Sequence, residues 1–322
     1  MKNKVFLTRT LHDFALKELK KRYQIEIHSG KIPIPKTKLR SKMKEVDGLI
    51  CFPYDKIDRD MIDEAKNLKV ISTYSVGFDH IDTEYAKEKK IRVGYTPEVL
   101  TDATADLAFS LLLDISRRVS EGDRIIRGGK WKQIYGAFDY VGVDLQSKTI
   151  GILGLGRIGS TLAKRAKAFD MKIIYHNRKR LSKTREKALN VKYVSFEKLI
   201  SQSDFISIHV PHTKETDQLF DMKIFKKMKK TAFLINTSRG KVINEKDLVT
   251  ALKKKIISGA GLDVFETEPI NDKHPFVKLP NITLAPHIGS STKETRSKMA
   301  EITVKNLELG MKGKKPVYSV GY

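Results

Sequence analysis

Residues 148 to 180 read KTIGILGLGRIGSTLAKRAKAFDMKIIYHNRKR, and the reading of this stretch decides the fold. A short apolar strand over 149–153 runs into Gly154, Gly156 and Gly159 in the GxGxxG spacing. An amphipathic helix follows through Ala163, Ala166 and Phe169, and a second strand covers 172–175. In this frame the first glycine permits a tight turn, the second lets backbone approach a pyrophosphate, and the third lets helix pack on strand. The helix start then turns N–H groups and a partial positive charge toward an anion. GxGxxG alone fits any glycine-rich turn; framed by strand, helix and strand it predicts a dinucleotide site.

The end of the second strand selects the dinucleotide. An NAD site usually carries Asp or Glu there for the ribose hydroxyls, whereas this chain has His176, Asn177, Arg178, Lys179 and Arg180. A guanidinium grips a 2'-phosphate through paired charge-assisted hydrogen bonds. Asn177, Arg178 and Lys179 are therefore the expected contacts, and NADP(H) is favoured over NAD(H). The bland reading is that the basic residues cap a loop of a lysine-rich chain.

The 322 residues suffice for two domains with their own cores. A net charge of +24 raises the question of an anionic partner. The excess is mostly lysine, scattered at the ends of amphipathic segments, and no zinc-finger, RRM-type or Arg-rich aromatic pattern accompanies it. A solvated lysine surface without nucleic-acid binding is the expectation. Cys51 lies in the apolar run 49–52, so it reads as a buried strand residue rather than a nucleophile. No grouping of metal ligands stands out. The N-terminus enters a strand-like pattern without a signal-peptide apolar region, and the most apolar segment, 105–115, is interrupted by Asp106 and Asp114. A cytoplasmic protein off the membrane is expected.

Strand-like runs at 5–8, 25–27, 48–52, 70–74 and 91–93 alternate with helical segments, the signature of a parallel sheet with helical crossovers. Between this part and the fingerprint, 101–115 predicts a helix apolar nearly all round and buried on more than one side. The segment 128–144 carries Trp131, Tyr135, Phe138 and Tyr140 as an aromatic arm that a partner subunit is expected to cover. Further strands are expected at 205–209, 232–235, 259–264 and 282–284, then a helix from Lys293 that ends at Gly310 and returns to the first domain.

Ligands of such sheets sit beyond the carboxyl ends of the strands. Each of the last three strands is followed by one useful side chain: Arg239, Glu268 and His287. Hydride transfer to a 2-oxo acid needs a cation that holds the carboxylate and polarises the carbonyl, and an acid that protonates the new alkoxide. Arg239 suits the first task, His287 the second, and Glu268 would orient the imidazole. Singly, Arg239 reads as a strand cap, His287 as a core histidine and Glu268 as a loop acid. Their joint placement favours a catalytic set.

The motifs GLGRIG, HVPHTKET, LINTSRG, AGLDVFETEP and LAPHIGSST, in this order, resemble the D-isomer-specific 2-hydroxyacid dehydrogenase family over nearly the whole chain. The resemblance implies Arg239, Glu268 and His287 as the catalytic set. It also implies pyrophosphate contacts from Leu155, Gly156, Arg157 and Ile158, Thr237 and Ser238 near the nicotinamide, and Asp263 at its carboxamide. The implied architecture is two Rossmann-like parallel-sheet domains: a dinucleotide-binding domain, 100–288, inserted into a flavodoxin-like catalytic domain, 1–99 plus 289–322, with a homodimer as the assembly. Within the family, TYSVGFDHID and VGYTPEVLTDATADLA are similar to glyoxylate/hydroxypyruvate reductases, with the amides of Val76 and Gly77 implied at the substrate carboxylate. A phosphoglycerate dehydrogenase is expected to carry an arginine near 51–54 and a regulatory extension. This chain has Phe52, Pro53 and Tyr54 there and stops at Tyr322, so a small uncharged substrate tail is expected. The alternatives are an NADH-dependent relative acting on an acid such as D-lactate, and a non-catalytic dinucleotide sensor.

Overall fold

Short apolar runs, each followed by a helical segment, build two all-parallel sheets of five and seven strands. The computed structural model describes residues 2–321. These fall into two units, one made of the residues up to Leu100 with those from Ser290 onward, the other of Thr101–Gly289.

In the first unit β1 (Lys4–Leu7), α1 (Asp13–Arg22), β2 (Gln24–Ile27), α2 (Lys36–Glu45), β3 (Gly48–Cys51), α3 (Arg59–Glu64), β4 (Val70–Thr73), α4 (Thr83–Glu88) and β5 (Arg92–Gly94) alternate. The strand order is β2-β1-β3-β4-β5. β3 and β4 are buried along their whole length, as strands covered on both faces must be, so neither shows the polar alternation of a half-exposed strand, and the two polar residues of β4, Ser72 and Thr73, are buried with the rest. Asp58 and Asp82 start α3 and α4 by accepting hydrogen bonds from Met61 N and Tyr85 N. Burial pushes the Cys51 thiol up, which keeps it protonated and inert. The last helix, Lys293–Met311, packs on β3, β4 and β5. It runs through Gly310 rather than ending there. A Cβ on Gly310 would come within 2.4 Å of the Val70 side chain, so this glycine permits close helix–strand approach and is not a stop signal.

The second unit opens with α5 (Thr101–Arg117) and α6 (Val119–Arg127), followed by an irregular arm. Next come β6 (Thr149–Leu153), α7 (Arg157–Ala168), β7 (Lys172–His176), α8 (Lys183–Leu189), β8 (Lys192–Tyr193), α9 (Phe196–Gln202) and β9 (Phe205–Ile208). The unit closes with α10 (Met222–Phe225), β10 (Phe233–Asn236), α11 (Glu245–Lys253), β11 (Gly259–Leu262) and β12 (Ile282–Leu284). The order β12-β11-β10-β9-β6-β7-β8 reverses direction between β6 and β9, the topological switch point where such sheets take their ligands. The two-residue β8 lies outside the sequence expectation, because so short an edge strand leaves no periodic pattern in the sequence. α5 is buried along most of its length against α7, β10 and β11 but is not apolar all round. Asp102, Asp106 and Ser110 form an exposed stripe, and Arg165 of α7 pairs with both acids. No described helix is long and apolar enough to cross a membrane.

The fingerprint glycines divide the work as their spacing requires. Gly154 has φ +96° and its would-be Cβ meets the His209 carbonyl at 2.8 Å. A Cβ on Gly159 would lie 2.4 Å from the Gly154 carbonyl oxygen, where α7 crosses β6, whereas one on Gly156 would meet nothing within 4 Å. Gly159→Ala should therefore destabilise the protein by about 1–3 kcal/mol through overpacking, read as a lower denaturant midpoint at unchanged slope. Wild-type stability of that variant would contradict the close crossing.

Candidate active site

Register brings the three strand-end loops of the second unit into one row. Asn236 pairs with Leu262, and Leu262 with Leu284, so β10, β11 and β12 finish side by side. The β10 loop is organised by Asn236, fully buried, whose Nδ2 donates to Arg239 O at 2.9 Å. Its Oδ1 accepts from both Ser238 N at 2.9 Å and Ser238 Oγ at 3.0 Å. Arg239 Nη1 donates to Ser238 O at 2.8 Å. A Cβ on Gly240 would collide with the Phe265 carbonyl carbon at 1.9 Å, so the β10 and β11 loops can interlock only with glycine here.

From the β11 loop Glu268 reaches in two directions. Its Oε1 accepts from Phe265 N at 2.9 Å, and its Oε2 lies 2.6 Å from His287 Nδ1. The pair is partly shielded, with side-chain exposures of 28% for His287 and 14% for Glu268. A hydrogen bond from Nδ1 to the carboxylate orients the ring. His287 itself adopts φ +55°, a left-handed conformation that costs about 1–3 kcal/mol and persists only where its surroundings impose it. Asp263 imposes it. This buried acid, one residue past β11, accepts from Ile288 N at 2.7 Å and Gly289 N at 2.9 Å. Burial pushes its carboxyl up, and the Ile288 amide and the His287 charge oppose that. Its two oxygens accept from main-chain amides in the interior, so it clamps the histidine loop.

Leu155 N donates to Asn177 Oδ1 at 2.6 Å and the Leu155 side chain is buried, so Leu155 and Asn177 brace the glycine turn against the β7 end. The first turn of α7, with Gly156 exposed as its N-cap and Arg157 and Ile158 following, has no side-chain cap. Such a helix start suits an anion. Arg180 pairs through two 2.8 Å contacts with Glu186, which also accepts from Tyr175 OH at 2.7 Å. Those hydrogen bonds, Arg180 first, hold the Glu186 carboxyl down at about 2, and burial pushes the Tyr175 phenol up to about 12. Glu186, the first acid in the chain after β7, is thereby engaged by Arg180 and Tyr175. Arg178 and Lys179 stay exposed without a hydrogen bond or ion pair among the described residues. Thr237 Oγ1, beside the Asn236 loop, is buried and lacks any hydrogen-bond partner. An orphaned hydroxyl there, with open space at Gly156, fits the chain to a bound dinucleotide.

In the first unit the loop after β4 is tied down by Thr73 Oγ1 to Ser75 Oγ at 2.8 Å and by Thr96 N to Ser75 O at 2.8 Å. The half-buried Val76 and Gly77 follow, and their amides donate to no acceptor among the described residues. No described group of three His, Cys, Asp or Glu residues could hold a metal ion. Sequence reasoning missed Asn236, because an asparagine ending a buried strand has no periodic signal. The polar residue directly before TSRG was the only hint.

Comparison with known proteins gives a consistent picture. Residues 109–289 match the family model for the D-isomer specific 2-hydroxyacid dehydrogenase NAD-binding domain. The chain is similar to a glyoxylate reductase of Thermococcus litoralis, 48% identical over 319 residues covering 98% of this chain and 96% of that one. Among solved structures it is similar to a protein of Thermus thermophilus, with TM-score 0.91, 43% identity, and coverage of 98% of this chain and 99% of that one. It is also similar to an NADPH-dependent glyoxylate/hydroxypyruvate reductase of Sinorhizobium meliloti in complex with NADP and malonate. There the TM-score is 0.86 with 29% identity, covering 100% of this chain and 97% of that one.

The Asp263 clamp is open to a local test. Asp263→Asn sets an amide NH2 against a main-chain donor, which should destabilise the protein by about 1–3 kcal/mol and speed amide hydrogen exchange at Ile288 and Gly289. Unchanged exchange at those two amides would remove the clamp.

Proposed function

The chain belongs to the D-isomer-specific 2-hydroxyacid dehydrogenase family, as an NAD(P)-dependent enzyme, and we propose that it reduces glyoxylate or hydroxypyruvate to glycolate or D-glycerate with NADPH. The observation that carries this reading is the Glu268–His287 pair standing in the same row of strand ends as Arg239. Relatives named glyoxylate reductase support the substrate class. Arg178 and Lys179, with no acid paired to them, support NADPH, as does the Sinorhizobium neighbour with its NADP.

When bound, the reduced dinucleotide supplies a hydride to C2 of the 2-oxo acid and leaves oxidised. Gly156, Arg157 and Ile158 at the start of α7 would hold its pyrophosphate, Thr237 and Ser238 would lie near its nicotinamide, and Arg178 with Lys179 would hold the 2'-phosphate. Arg239 binds the substrate carboxylate and polarises the carbonyl, with the Val76 and Gly77 amides as further carboxylate donors. His287, its Nδ1 engaged by Glu268, gives a proton to the alkoxide oxygen as C2 is reduced.

A homodimer is part of the same reading. α6 buries none of its residues, and Ile134 and Phe138 of the arm are 90% and 93% exposed, with Val119, Ile126, Trp131 and Val141 exposed beside them. So much apolar surface on one element and its following arm is suited to cover by a second copy. A cytoplasmic location completes the reading, in keeping with a single buried thiol.

Initial rates with NADPH and NADH against a panel of 2-oxo acids test the reaction directly. His287→Ala should lower kcat by about 100-fold or more while NADPH still binds; unchanged turnover would remove His287 from proton transfer. Arg178→Ala should weaken NADPH by about 10–100-fold and NADH far less. Equal losses for both would remove the phosphate grip.

A further inference from the structure

At the carboxyl ends of β1 and β3 the first unit holds an arginine in a built environment that the reaction as described leaves unused. Thr8, buried just past β1, donates its hydroxyl to Asp55 Oδ2, and the same oxygen accepts from Phe52 N at 2.8 Å. Asp55 N returns to Phe52 O at 3.0 Å, so Phe52–Asp55 is a closed turn pinned to the end of β1. Phe52 leans on Tyr74, ring centroids 5.0 Å apart, and Tyr74 OH donates to Arg296 O at 2.6 Å in the last helix. On this platform lies Arg9, half-buried, its guanidinium carbon 5.8 Å from the Phe52 ring centre and 5.7 Å from that of Tyr54.

Ring contact holds the cation without consuming its N–H donors. Among the described residues no hydrogen bond or ion pair reaches this guanidinium. A half-buried fork of donors kept rigid by aromatic contact is arranged to receive an acceptor. The strand order puts β3 between β1 and β4, so Arg9 leans over the β3 end toward the loop that carries Val76 and Gly77. Neighbouring strands lie about 4.8 Å apart, so roughly 10 Å separates the ends of β1 and β4. An arginine side chain and a three-carbon acid together fill that span.

We propose that Arg9 is a specificity-determining residue, which donates to an oxygen on C3 of the substrate and selects 3-hydroxy-2-oxo acids over those with a methyl or no tail. The assignment rests on the reduction proposed above and narrows its substrate class. The stretch 51–54 contains no arginine, which by itself argues for an uncharged tail, but the fold sets Arg9 over two of its rings. The site remains matched to a neutral hydroxyl. The Asp55 carboxyl, in the same turn as the two rings, opposes a phosphate dianion beside Arg9 and suits the place to a hydroxyl.

The test compares kcat/KM for hydroxypyruvate, pyruvate and glyoxylate with NADPH in the wild type, Arg9→Met and Arg9→Lys. A site that hydrogen-bonds a substrate oxygen discriminates against analogues lacking it, so the hydroxypyruvate-to-pyruvate ratio should fall by about 10–100-fold in Arg9→Met. Arg9→Lys should recover part of the ratio, and it serves as the test variant if Arg9→Met does not fold. An unchanged ratio, or losses equal for all three acids with a lowered Tm, overturns the assignment and leaves Arg9 a packing residue. A wild type that reduces glyoxylate but does not prefer hydroxypyruvate to pyruvate overturns it while the proposed function stands. A wild type that reduces none of the three overturns the proposed function, and the role of Arg9 falls with it.

Discussion

Parallel hydrogen bonding among β10, β11 and β12 is the constraint on which the site depends. Because Asn236, Leu262 and Leu284 pair in register, the chain leaves three adjacent strands at one level. Arg239 lies three residues beyond its strand, Glu268 six and His287 three. A slip of one residue in any strand would turn its side chains to the opposite face and carry its loop out of the row. Glycine enforces the same geometry a second way. The carbonyl of Phe265 occupies the space a side chain at 240 would need, so the first two loops are locked together before any side chain acts.

The acids of this site do different jobs because their surroundings differ. Glu268 keeps one oxygen on a main-chain amide and the other on the imidazole, at the margin of solvent. Asp263 is buried and accepts from two main-chain amides, which makes it a structural clamp for a left-handed histidine. A strained backbone held by a buried carboxylate is a stiff mount, which fixes where the imidazole stands. Asn236 plays the matching part in the arginine loop, with three hydrogen bonds from one carboxamide.

Arginine serves three distinct ends along the chain, and only neighbours separate them. Arg180 is consumed by Glu186 and so closes the loop after β7, which leaves Arg178 and Lys179 to define the charge at that strand end. Arg165 binds the acidic stripe of α5 to α7. Arg9 is propped on rings, with no acid in salt-bridge contact among the described residues. Residue type alone does not distinguish these roles, since each turns on which carboxylates lie within a few ångströms.

By itself the sequence determined the two parallel-sheet units, the glycine turn, and the strand-end positions of Arg239, Glu268 and His287. Periodicity, glycine spacing and strand-end position are local properties that survive in one dimension. The tertiary structure alone decided which polar atoms were already engaged. It gave the Leu155 amide to Asn177, the Asp263 carboxylate to Ile288 and Gly289, and Arg180 to Glu186, and it made Gly310 a contact rather than a stop. It also carried Arg9 over Phe52 and Tyr54, across more than forty residues of chain. Hydrogen bonds and ring contacts act over a few ångströms, and the partners they join are set by strand order and register, which no local stretch of sequence encodes.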